Sequence, residues 1–201
     1  MKTIQAAIFG ASGYTGQELT RILSAHPDVE LTAVTSRRYA GRRVSDVFPS
    51  LLGLSSLSYV NASPQEIAQV CDVVFLALPH GVSMDVAPVF TQAGKKVVDL
   101  SADYRLRDVA VYEKWYDKHV SADLLKEAVY GIPELYREKI RETDLVANPG
   151  CFPTGAILPL APLLAAQLLE PEGIIVDSKS GVSGAGRTLR ESSHFCEVNE
   201  G

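Results

Sequence analysis

Glycines at positions 10, 13 and 16 join a short apolar run to an amphipathic one. No other feature narrows the possible folds as far. Ile4 to Phe9 ends at Gly10 and reads as a buried strand. Gln17 to Ser24 sets Leu19, Ile22 and Leu23 on one helical face, and His26-Pro27 ends it. Gly10-Ala11-Ser12-Gly13-Tyr14-Thr15-Gly16 therefore lies where a strand turns into a helix. Glycine tightens such a turn and lets the backbone approach a pyrophosphate, which the helix N-terminus attracts. Gly10, Ser12, Gly13, Tyr14, Thr15 and Gly16 are thus candidate cofactor contacts. A glycine-rich turn without a ligand is the plainer alternative.

The segments that follow keep the alternation. Val29 to Thr35 and Lys96 to Leu100 read as strands, and Leu57 to Val60 as a weaker one. Asp72 to Leu78 is continuously apolar after its first residue, as in a strand covered on both faces. Ser63-Pro64-Gln65-Glu66 reads as a capping box, and Ser83 to Ala93 as a helix stopped by Gly94. Strands alternating with helices imply right-handed crossovers and a doubly wound parallel sheet of Rossmann type. From Ser101 to Thr143 the pattern loosens, leaving Tyr112 to Lys118 and Leu124 to Glu127 as short surface helices. Asp144 to Ala147 restores a strand, which Asn148-Pro149-Gly150 breaks. Pro153 to Leu169 reads as an apolar helix kinked at its prolines, and Gly173 to Lys179 as a strand. This divides the chain into an α/β domain over residues 1–147 and the start of a second, α+β domain over 148–201.

Composition removes several function classes. The 201 residues are 46% hydrophobic and 21% charged, as in ordinary globular proteins. A formal net charge of −5 argues against a broad nucleic-acid-binding face. Cys71, Cys151 and Cys196 form neither an even disulfide set nor a zinc spacing, so no metal is expected and a reducing, cytoplasmic setting fits. The longest apolar tract, Ala156 to Ala166, holds two prolines and falls short of the about 20 residues that cross a bilayer.

Three further segments carry chemistry. Thr35-Ser36-Arg37-Arg38 ends the second strand, where NAD-binding folds often set an acid against the ribose 2′-hydroxyl. Here a hydroxyl and two guanidinium groups (Ser36, Arg37, Arg38) suit a 2′-phosphate, hence NADP(H), with a solvated basic loop as the alternative. Cys151 lies between a strand and an apolar helix, where a helix dipole favours thiolate; an isolated cysteine can also be a small buried hydrophobe. Cys71, before a buried strand, reads as packing. The loop Ser180 to Arg187 is rich in backbone donors and suits a cofactor or anion, or serves as a linker.

Together these segments resemble the N-acetyl-gamma-glutamyl-phosphate reductase family of the aspartate-semialdehyde dehydrogenase superfamily. The resemblance runs through Gly10–Gly16, Ala77-Leu78-Pro79-His80-Gly81 and Asp99-Leu100-Ser101-Ala102-Asp103-Tyr104-Arg105. It continues through Tyr130-Gly131-Ile132-Pro133-Glu134-Leu135, the Cys151 segment and Ser178 to Arg187. It implies an NADPH-dependent reduction of an acyl phosphate through a Cys151 thioester, in arginine biosynthesis, by a homo-oligomer with a small-molecule substrate. It also implies that Arg105 and Asn148 contact substrate, and that Pro79, Ser180, Gly181 and Ser183 contact the cofactor. For Arg105, an ion pair with Asp103 or Asp108 is the alternative. His80 is expected to line the cofactor cleft or to be structural; His26 and His119, at surface helix ends, are given no role.

The family's acid/base histidine follows a stretch like Glu197 to Gly201, and His194 does not match its position. The expectation is therefore a fragment of a protein nearly twice as long, with an apolar helix and a strand that no sheet covers. An aspartate-semialdehyde dehydrogenase and a non-catalytic NADP-binding module are the rival readings.

Overall fold

The computed structural model describes residues 3–199. Its centre is a six-stranded, all-parallel sheet in the order β2-β1-β3-β4-β6-β5. The strands are β1 (Ile4–Phe9), β2 (Val29–Val34), β3 (Val73–Leu76), β4 (Lys96–Asp99), β5 (Val129–Tyr130) and β6 (Leu145–Ala147). The helices are α1 (Tyr14–Ser24), α2 (Val44–Val47), α3 (Pro64–Ala68), α4 (Ser83–Gln92), α5 (Val109–Trp115), α6 (Pro133–Glu142), α7 (Cys151–Ala165) and α8 (Phe195–Asn199).

Side chains alternate across a strand, so β1 feeds two cores. Ala6 and Ile8 join Leu23, Val34, Val44, Phe48 and Leu51 on one face. Ala7 joins Val74, Leu76, Met84, Ala87, Phe90 and Val97 on the other. Full burial of a side chain such as Phe90 stabilises by about 1.5–3 kcal/mol. Alanine at two central β1 positions lets helices approach both faces closely. Because β1 pairs with β2 on one side and β3 on the other, a crevice opens beyond its C-terminal end.

The Ser63 capping box forms, with the Ser63 and Glu66 side chains each bonding the other's backbone N–H. Elsewhere the structure corrects the sequence reading. Leu57 to Val60 makes only isolated bridges, Thr35 to Val60 and Arg43 to Ser58. The first short helix of the loosened stretch starts at Val109, because the Asp108 side chain accepts from the Ala110 N–H; its Tyr112 is buried rather than at the surface. The helix α6 and the two-residue β5 fall where the sequence shows no clear periodicity. α7 starts two residues before Pro153 and runs as helix through Pro159 and Pro162. No strand forms over Gly173 to Lys179. No neighbour pairs with it, and Ile175 is 92% exposed.

Candidate functional site

Two clusters lie at the C-terminal edge of the sheet. The first is the glycine turn. Gly10 adopts φ +90, and a Cβ there would stand 2.6 Å from the Ala77 carbonyl oxygen. A Cβ on Gly16 would meet the Ala11 carbonyl oxygen at 2.3 Å, whereas Gly13 faces open space. Two of the three glycines thus let backbone pack on backbone, and the third leaves room for a ligand. The turn is fixed to the end of β2: the Gly10 N–H donates to Thr35 Oγ1 at 2.9 Å, and the Ala11 N–H donates to the Thr35 carbonyl. Ser36 Oγ bonds Ser12 Oγ at 3.0 Å. Gly13 caps α1 without a side-chain bond, leaving the first-turn amides beside Tyr14 and Thr15 free of a side-chain acceptor.

A cleft of about 740 Å³ runs from this turn past Ser36, Arg37 and Arg38 to Asn61–Pro64, with Pro79 on its other wall. An adjoining cavity of about 900 Å³ is bounded by Gly10, Gly13, Tyr14, Tyr39, Pro79 and Arg187. The space, the open Gly13 and the basic end of β2 fit a dinucleotide carrying an extra phosphate. Ser180, Gly181 and Ser183 are exposed and line neither cavity; from their loop, Arg187 does.

The second cluster surrounds the end of β6. The Asn148 N–H donates to the Asp99 carbonyl at 2.8 Å, which holds the break against β4. Gly150 is the N-cap of α7, and Cys151, exposed, is its first residue. Thr154 returns to the Gly150 carbonyl through both its N–H and its hydroxyl. Arg105 braces this turn. Its Nε donates to the Asn148 carbonyl and its Nη2 to the Leu100 carbonyl, both at 2.8 Å, and a Cβ on Gly150 would stand 3.2 Å from Nη1. The alternative ion pair with Asp103 or Asp108 is not made, since both carboxylates are taken up by backbone and hydroxyl donors. Asn148 Nδ2 bonds its neighbouring Pro149 carbonyl.

Asp103 joins the two clusters. Its buried carboxylate accepts from the N–H groups of Gly81 and Met84 and from the Tyr112 hydroxyl. The loop carrying Pro79 and His80 is thereby tied to the loop carrying Arg105. His80 Nδ1 accepts from the Ala102 N–H, which adds a second tie. His119, expected at the surface, is buried: Nε2 bonds the Asp103 carbonyl and Nδ1 accepts from the Ser121 N–H. That pattern fixes the neutral Nε2–H tautomer. Sequence reasoning missed both residues. Asp99, Ser101 and Asp103 alternate with Leu100 and Ala102, but nothing in that stretch marks which loops the acids will meet. Burial pushes the Asp99 carboxyl up, against two hydrogen bonds from Ser101. Burial likewise pushes the Cys71 thiol up, which suits a packing role.

Residues 5–143 match the family described as semialdehyde dehydrogenase, NAD binding domain, and residues 151–201 match semialdehyde dehydrogenase, dimerisation domain. The N-acetyl-gamma-glutamyl-phosphate reductase of Desulfotalea psychrophila is 56% identical over 98% of this chain, and that of Geotalea daltonii 55%. The chain spans 57% of the length of each of these relatives. Aspartate semialdehyde dehydrogenase with NADP from Candida albicans aligns with a TM-score of 0.62 at 23% identity, over 82% of this chain and 48% of that one. That likeness speaks for the fold alone.

Proposed function

Because the chain belongs to the semialdehyde dehydrogenase family, we propose that it carries the NADP-binding and nucleophile-bearing part of an N-acetyl-gamma-glutamyl-phosphate reductase. In this reading residues 1–147 are the cofactor domain and 148–201 begin the catalytic and oligomerising domain of a cytoplasmic homo-oligomer. The observation that carries the reading is Cys151 at the head of α7, braced by Arg105, on the sheet edge that also bears the glycine turn. The names of the relatives support the choice of substrate over an aspartyl phosphate.

The sulfur of Cys151 attacks the acyl carbon, the carbon–oxygen bond breaks, and phosphate leaves with its electron pair. A thioester on Cys151 results. When bound, NADPH supplies the hydride that this carbonyl carbon accepts; the carbon–sulfur bond then breaks, releasing the semialdehyde and the cysteine sulfur. Arg105 is already fixed by two carbonyls and offers Nη1 towards the Gly150 side, where it meets the phosphoryl group. Asn148 sets the turn that aims Cys151. Gly10, Ser12, Gly13, Tyr14, Thr15 and Gly16 hold the pyrophosphate; Ser36, Arg37 and Arg38 hold the 2′-phosphate; Pro79, on the wall of the cleft, lies towards the nicotinamide, whereas Ser180, Gly181 and Ser183 line neither cavity.

Acylation alone tests the nucleophile. Mixed with N-acetyl-gamma-glutamyl phosphate and no NADPH, the chain is expected to release about one phosphate per molecule and gain the acyl mass on the peptide holding Cys151. Cys151→Ser loses the burst by at least about a thousandfold, in line with removal of a nucleophile. An equal burst from that variant sinks the assignment.

A further inference from the structure

Arg187 reaches back 175 residues to donate from Nη1 to the Ser12 carbonyl at 3.1 Å. Its guanidinium lies over the Phe48 ring, 4.4 Å from the centroid, and 5.4 Å from the centroid of Tyr39. Arg38 and Arg42 stand at 5.2 and 5.7 Å from the same Tyr39 ring. Three guanidinium groups therefore gather round one aromatic side chain. Among the described residues, none of them makes an ion pair with a carboxylate. Arg42 is bonded only to a backbone carbonyl, that of Asp46, at 3.4 Å.

Cation–π contact offsets about 0.5–1 kcal/mol per exposed pair, which relieves part of the mutual repulsion. A multivalent anion relieves far more. The room for one is there, since Arg38 and Arg187 both line the 900 Å³ cavity that the glycine turn opens into. The field is felt nearby: burial pushes the Tyr59 hydroxyl up to about 12 while the Arg187 charge pulls against it.

We propose that Arg187 is a specificity-determining residue that joins Arg38, and with it Ser36 and Arg37, in the site for the 2′-phosphate of the dinucleotide. The assignment rests on the cofactor reading above and adds a residue from the distant loop to it. It also explains the position of that loop. Stacked on Phe48 and bonded to Ser12, Arg187 holds the loop over the turn that the cofactor must enter.

Calorimetric titration of the chain with NADPH, NADH and 2′,5′-ADP tests this without turnover. Arg187→Ala is expected to weaken NADPH and 2′,5′-ADP by about tenfold or more, the scale of one charge-assisted contact, and NADH by less than about twofold. Arg187→Lys keeps the charge but not the planar stack, and is expected to recover part of the loss. Equal weakening of NADPH and NADH, or unchanged 2′,5′-ADP binding in the alanine variant, overturns the proposal. So does failure of the parent chain to bind 2′,5′-ADP at all. Failure of the parent to bind either dinucleotide while 2′,5′-ADP still depends on Arg187 supports the site and defeats the wider cofactor reading instead.

Discussion

The sheet region and the stretch from α7 onward use similar amounts of apolar sequence to opposite effect. Up to Ala147, apolar residues on β1, β3, β4 and α4 sink into two cores on either face of the sheet. From Cys151 to Glu197, no side chain is buried, although α7 carries Phe152, Ile157, Leu158, Leu160, Leu163 and Leu164. Apolar sequence becomes core only where the fold supplies an opposing surface. In the second stretch, position is set instead by polar ties at particular points: the Gly150 carbonyl at the start of α7, and Arg187 on Ser12. Those ties are the points at which this stretch meets the candidate site.

Truncating one buried and one exposed side chain breaks the contrast most directly. Phe90→Ala, in the last turn of α4 and fully buried, is expected to cost about 3–5 kcal/mol in urea unfolding. Leu163→Ala on α7, where the side chain is 39% exposed, is expected to cost less than about 0.5 kcal/mol. Comparable losses would mean that α7 is packed in solution and the contrast false.

Glycine substitutions sharpen the same comparison. Gly10→Ala forces a side chain onto a positive φ and against the Ala77 carbonyl, at about 2–5 kcal/mol. Gly155→Ala meets nothing within 4 Å, lies in the interior of α7, and is expected to stabilise by about 0.5–1 kcal/mol. Thermal midpoints moving the same way in both would show that the open space at Gly155 is filled.

The contrast also explains what could be read without coordinates. β1, the glycine turn and α1 were legible because strand period, turn chemistry and helix period agree there. Cys151 was legible because a strand, a break at Asn148-Pro149-Gly150 and an apolar helix follow each other within a few residues. α6 was not, because its few apolar side chains, Leu135, Tyr136 and Ile140, stand among charged ones and none is buried. Gly173 to Lys179 looked like a strand for its β-branched residues, a preference that counts only beside a partner. His119 and Asp103 were missed for a different reason. Both bond backbone groups of other loops, and nothing in local sequence marks which loops will meet. Arg187 stood out only as the end of a glycine-rich loop, and its place over Phe48 depends on a contact across most of the chain.

One buried tyrosine links the two regions. Tyr59 is buried in the sheet region, and its hydroxyl has no hydrogen-bond partner. Tyr59→Phe is therefore expected to be neutral, or stabilising by up to about 1 kcal/mol, at pH 7. Burial raises this hydroxyl from the usual value near 10 to about 12, so the folded state favours its neutral form. The associated stability is complete below pH 10 and is lost as pH rises from 10 to 12, by up to about 3 kcal/mol. Tyr104 and Tyr112 are also pushed up by burial, so both proteins weaken in alkali. The difference between parent and Tyr59→Phe isolates Tyr59, and parallel curves through pH 12 would refute the assignment. Arg187→Ala in the parent background then tests the tie between the regions. Removing a positive charge near Tyr59 leaves its neutral form still more favoured, so the Tyr59-specific loss, which begins near the ordinary tyrosine value, continues to higher pH and grows larger. An unmoved end to that loss would mean that Arg187 does not rest over this part of the sheet region in solution.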